Sequence, residues 1–174
     1  MTKKVFLTAL CLVLVFVINV INAQETILNK KKIGNIVYLD VPDYMVKAYG
    51  LNDVAKAQFQ NTVKETYLIL IEEDKEDIKI AGGSFTNPKE YFKFFIESFG
   101  IDSIHVISEE STKSGVFPAY QAQINGFVQG LSLFYLVTVI ESPSYFYNVI
   151  SWTLFEKKSE LIDDFKKIAT SLKE

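Results

Sequence analysis

The chain has 174 residues, 49% of them hydrophobic and 22% charged, with 18 basic and 21 acidic residues, one His and one Cys. All the basic residues are lysines. The missing arginine fork, the group that grips phosphate in two places, counts against nucleotide and nucleic-acid recognition.

Residues 1–23 have the layout of a secretory signal. Lys3 and Lys4 supply a positive start, Val5 to Ile21 is almost wholly apolar, and Ala23 before Gln24 offers a cleavage point. The rival reading keeps this segment as a membrane anchor, because the apolar run approaches spanning length. Lipidation at Cys11 is rejected, since Leu10 stands where a small residue is wanted. Cleavage would leave about 151 residues, enough for one domain with a sizeable core and no membrane span. Sixteen lysines would then face 21 acidic residues, a net charge near −5, in a chain without cysteine. Such a chain cannot form disulfides and stands on packing alone.

Residues 24–34 are polar, with Lys30, Lys31 and Lys32 in a row, and read as a solvated leader. A membrane-surface patch is the other reading of three adjacent charges, although no amphipathic helix accompanies them. Ile36 to Val41 reads as a strand ended by Pro42, which cannot donate to a continuing ladder. Ala55 to Gln60 alternates small or apolar with polar, as an edge strand with one wet face does. Asn61-Thr62 makes a turn into Glu65 to Glu73, a more interior strand with apolar residues on both sides. The charge run Glu72 to Asp77 lacks the glycine and the alternating spacing of a calcium loop, so it reads as a solvated connection. Gly82-Gly83-Ser84 lacks the remaining glycines and the lysine of a phosphate-binding loop.

A helix is signalled by Asn87 as cap, Pro88 in the first turn and Glu90 reaching back. Phe92, Phe95, Ile96 and Phe99 fall on one stripe beside Tyr91, and Gly100 ends the helix. Ser103 to Glu109 and Phe117 to Ile124 read as a strand pair. Asn125-Gly126, the strongest hairpin dipeptide in the chain, is expected to make the next turn, lengthened by Gln129-Gly130. Leu131 to Phe155 follows as two apolar runs hinged at Ser142-Pro143-Ser144, apolar on both faces. Strands of that kind need cover above and below, which places this hairpin at the centre of a sheet. The last helix carries Leu161, Phe165, Ile168 and Leu172 on one side, with lysines near its end to complement the helix dipole.

Short connections between strands predict an α+β domain over residues 35–174. Its largely antiparallel central sheet has about six or seven strands, flanked by helices on both faces as an α/β/α sandwich. Residues for catalysis are hard to find. His105 stands between Ile104 and Val106 in an expected strand, and no serine sits in a nucleophile-elbow pattern. Asp163 and Asp164 point about 100° apart on a helix and do not form an acid/base pair. No catalytic, metal or cofactor residue is therefore assigned.

The succession IVYLDVP, ETYLILI, NPKEYF, SYFYNVISWTLF and ELIDDFKKIATSL resembles the PsbP-like fold, shared by the extrinsic PsbP subunit of photosystem II, the Ran-binding Mog family and bacterial envelope proteins. The resemblance implies a non-enzymatic binding or accessory protein with no catalytic motif to carry over. Together with the leader, it leads to the expectation of an exported protein, periplasmic or extracellular, that binds an envelope or secreted protein. The alternative is a carrier of a small apolar ligand, with Tyr120, Phe127, Tyr145 and Tyr147 lining its pocket.

Overall fold

The computed structural model describes residues 25–101 and 103–174. The expected signal segment and its expected cleavage point between Ala23 and Gln24 lie outside the described residues. Among the described residues, nine strands and three α-helices form an α+β fold. Seven strands make one antiparallel sheet: β3 (Val46–Lys47), β4 (Ala57–Asn61), β5 (Thr66–Asp74), β9 (Tyr145–Leu154), β8 (Leu131–Glu141), β7 (Phe117–Val128) and β6 (Ser103–Ser114), in that spatial order. β9 is the middle strand, with β5 on one side and β8 on the other. Its Ile150 stands opposite both Ile69 and Val137. The doubly apolar hairpin is therefore central, as its pattern requires. Its hinge is closed by the Ser142 amide donating to the Tyr145 carbonyl (2.9 Å) and the Tyr145 amide donating to Ser142 Oγ (3.1 Å).

Residues of β9 alternate between two hydrophobic clusters. Tyr147 and Val149 join Leu68, Leu70, Phe134 and Leu136, together with Leu161, Phe165 and Ile168 of α3 (Lys158–Thr170). Phe146 and Ile150 join Ile69, Ile71, Val137 and Val139, together with Tyr91, Phe92 and Phe95 of α2 (Pro88–Glu97). Neighbouring strand residues point to opposite faces, so both faces of the sheet are buried. Each such side chain contributes about 1.5–3 kcal/mol by leaving water.

The α2 start is built as its sequence indicates, with one difference. Asn87 Oδ1 accepts from the Glu90 amide (3.0 Å). Glu90 reaches past the cap and accepts from both the amide and the hydroxyl of Thr86 (2.9 Å each). Those two donors hold the Glu90 carboxyl below its usual range.

Three stretches differ from expectation. The polar leader contains β1 (Leu28–Ile33), which pairs with β2 (Val37–Pro42) in a separate two-stranded sheet. Only Ile33 of β1 is buried, so backbone pairing, not side-chain burial, holds it in place. The charge run is more than a connection. Glu72, Glu73 and Asp74 end β5, and Asp74 Oδ1 caps α1 (Lys75–Ile80) by accepting from the Glu76 amide (2.7 Å). Finally, Asn125 and Gly126 do not turn but continue β7, and the turn falls at Gln129-Gly130, both with positive φ. Gly126 serves packing instead. A Cβ there would lie 2.9 Å from Ile101 Cγ2 and 3.1 Å from Tyr135 Cε2.

Candidate binding site

A cavity of about 760 Å³ lies where the end of β5, α1, the loop 81–85 and Phe94 of α2 meet. Local sequence builds each wall. β5 carries its apolar pattern to Ile71 and then turns acidic, so Glu73 and Asp74 stand at the strand's end. α1 is too short to bury a stripe and leaves Ile78 on the cavity side. Gly83 lets the loop close onto that helix, since a Cβ there would meet Ile78 Cγ2 at 2.7 Å. Close packing, not phosphate binding, accounts for this glycine.

Ile78, Phe85 and Phe94 give the cavity an apolar wall, and Phe94 remains 54% exposed. Phe85 contacts Phe94 (ring centroids 5.2 Å apart) and meets Tyr91 edge-on (5.4 Å). Tyr91 in turn stacks on Phe146 with centroids 4.2 Å apart. The polar side is carboxylate: Glu73, Asp74 and Asp77 line it. Tyr91 Oη donates to Glu73 Oε2 and accepts from Asn148 Nδ2 (3.1 Å). Burial first, and then the Glu73 carboxylate, push the Tyr91 hydroxyl above its ordinary pKa. Asn148 is fully buried, and its Oδ1 has no hydrogen-bond partner among the described residues. Beside the cavity, Lys75 lies over the Phe146 ring and pairs with Glu141 (2.7 Å). A cavity lined by both apolar side chains and carboxylates suits a group with an apolar stem and a cationic end. Among the described residues, no cluster of three His, Cys, Asp or Glu side chains is placed to hold a metal.

The four aromatics expected to line a pocket are dispersed. Tyr145 and Tyr147 are neighbours (5.7 Å), and Tyr147 is buried with its hydroxyl donating to Glu174 Oε1 (2.8 Å). Tyr120 packs in the other cluster against Phe92 (5.3 Å), with the Lys89 ammonium 5.2 Å from its ring centroid. Phe127 is 44% exposed near the Gln129-Gly130 turn. None of the four lines the large cavity. His105 is exposed on the edge strand β6.

Asp164 is buried on α3 and accepts from the hydroxyls of Thr26 and Tyr44, both at 2.8 Å. Burial, then this carboxylate, pushes the Tyr44 hydroxyl well above its ordinary range. The contact fastens the start of the described chain to α3. The charge run, the double glycine and the α2 helix were each visible in the sequence, but nothing in it signals that they meet around one space.

With this geometry in hand, three solved structures can be compared. The chain matches cyanobacterial PsbP from Synechocystis with a TM-score of 0.61 at 12% identity, covering 87% of this chain and 94% of that one. The fold is PsbP-like. The Ran-binding protein Mog1p of Saccharomyces cerevisiae matches equally, with a TM-score of 0.61 at 9% identity over 85% of this chain and 95% of that one. LpqN of Mycobacterium tuberculosis, involved in cell envelope biogenesis, gives 0.60 at 13% identity over 90% and 95%. At such identities the likeness is one of PsbP-like architecture. No protein-family model and no curated protein matches the sequence.

Proposed function

We propose that this is an exported, non-catalytic accessory protein that binds another envelope or secreted protein. In this reading its helices α2 and α3 cover opposite faces of the sheet, and the cavity beside α1 is its docking site. The observation that carries the proposal is that cavity, lined by Ile78, Phe85 and Phe94 together with Glu73, Asp74 and Asp77. Such a surface fits a partner segment that presents an apolar stem ending in an ammonium or guanidinium group, the chemistry of Lys or Arg. The apolar leader and the envelope role stated for LpqN support the compartment. Mog1p, a Ran-binding protein, is a precedent for protein contact on this fold.

The test compares wild type with an Asp77→Lys/Phe94→Ser variant, both beginning at Gln24, in crosslinked envelope extract of the native host. Both positions are exposed, so stability should change little. Proteins recovered by wild type and reduced about tenfold or more with the variant are expected, a loss of about 1.4 kcal/mol. Identical recovery by both would overturn the proposal. The volume also favours a second reading, since small-molecule sites span about 300–1,000 Å³. A small molecule that stays bound to wild type in native mass spectrometry, and is absent from the variant, would make this protein a carrier.

A further inference from the structure

We propose that the outer face of the β1–β2 hairpin is a docking surface for an anionic bilayer. Lys32 stands opposite Tyr38, and Tyr38 in turn bridges to Lys173 on its other side. The Tyr38 amide donates to the Lys173 carbonyl (2.7 Å), and the Lys173 amide donates to the Tyr38 carbonyl (3.0 Å). Residues directly paired across antiparallel strands share a face. Lys32, Tyr38 and Lys173 therefore form one row, about 10 Å across at the usual strand spacing. Lys30, two residues from Lys32, is on the same face, and its ammonium lies 5.9 Å from the Tyr38 ring centroid. The opposite face of β2 carries the buried residues Val37, Leu39 and Val41, so the lysine row points outward.

Among the described residues, Lys30, Lys32 and Lys173 are in no ion pair, whereas Lys56, Lys75, Lys89 and Lys157 are. Two carboxylates adjoin the row. Asp40 is opposite Lys30 in register, and Glu174 accepts the Tyr147 hydroxyl. Lys31 is exposed between Lys30 and Lys32 and adds to the positive field.

Three observations select a bilayer over a soluble polyanion. Ile36, in the hairpin turn two residues before Tyr38, is 47% exposed, and a polyanion has no use for it. Tyr38 is half-buried among the lysines, the kind of ring that settles at headgroup level. Finally, the apolar run ends at Ile21, nine residues before Lys30, so at most about 30 Å of chain separates them. Thr26, within that interval, donates to Asp164 Oδ2 and ties the approach to β1 to α3. The hairpin packs in the cluster of α3 and the cavity beside that of α2, so a bilayer under the hairpin leaves the cavity facing away. This inference stands without the cavity's being a docking site.

Among the described residues the core spans Ile33 to Leu172, and the chain beginning at Gln24, which carries all of these, is the form to test. Sedimentation with vesicles of phosphatidylcholine containing phosphatidylglycerol is expected to bring this protein down, and pure phosphatidylcholine vesicles are not. Lys30→Gln/Lys32→Gln/Lys173→Gln is expected to weaken partitioning by about fivefold per lysine, near a hundredfold together. Lys79→Gln/Lys93→Gln/Lys113→Gln, of equal net charge, is expected to leave it within about twofold. Ile36→Ser should weaken vesicle binding and leave any binding to dextran sulfate unchanged. Circular dichroism confirms that each variant is folded. No binding to anionic vesicles, equal losses in the two triple variants, or binding to dextran sulfate alone would overturn the proposal.

Discussion

Tyr91 holds the cavity's inner wall together through its ring and its hydroxyl. The ring stacks on Phe146, while the hydroxyl joins Glu73 to the buried Asn148. Replacing it with Phe keeps the stack and strands both polar partners, at a cost of about 1–2 kcal/mol at neutral pH. The pH dependence gives a second readout. Tyr44, Tyr91, Tyr135 and Tyr147 all have hydroxyl pKa values raised chiefly by burial, that of Tyr135 to about 12. Unfolded tyrosines ionise near about pH 10. Below that pH both states hold the proton, and stability does not depend on these groups. Above it the unfolded chain has lost protons that the folded chain keeps, so stability falls as pH rises. Urea unfolding between neutral pH and about pH 11 is expected to show this fall, with Tyr91→Phe releasing about one proton fewer on unfolding. A Tyr91→Phe protein as stable as wild type, with an unchanged pH slope, would remove Tyr91 from this role.

At the scale of elements, the β7–β8 turn shows how a strong local signal yields to packing. Asn125-Gly126 has the better turn chemistry, yet Gly126 is needed where Ile101 and Tyr135 close on the strand. Pairing then runs on to Val128 opposite Leu131, which forces Gln129 into a left-handed conformation (φ 51°). Gln129→Asn is expected to stabilise the protein by about 1 kcal/mol, because Asn tolerates that conformation. Thermal melts of the two proteins measure it, and a lower melting temperature would contradict this account of the turn. The same competition explains what could be read beforehand. β8 and β9 declared themselves because nearly every residue has an apolar face to bury, and α2 because cap, proline and stripe agree. β1 gave no signal, since five of its six side chains are not buried. β6 ran longer than its apolar stretch because its outer half, Glu109 to Ser114, is polar and still paired with β7. The cavity was illegible for another reason. Phe94 looks like a spare aromatic and Asp77 like a solvated charge until the loop 81–85 folds them around one space.

The whole molecule is asymmetric. The hairpin with Lys30, Lys32 and Lys173 packs in one cluster, and the carboxylate-lined cavity adjoins the other. The exposed β6 edge presents unpaired backbone groups, but Glu109, Glu110 and Lys113 and a bulge between Val106 and Ser108 blunt it against pairing with a further strand. The cavity beside α1 combines shape, apolar area and charge. The PsbP-like architecture supplies a rigid sheet for it and dictates no chemistry. The most direct measurement places a photoreactive phenylalanine analogue at Phe94, and at exposed Val116 as control, in the protein expressed in its native host. The account expects a discrete crosslinked protein from position 94 and none from position 116. No adduct at position 94, or the same adducts from both positions, would contradict it.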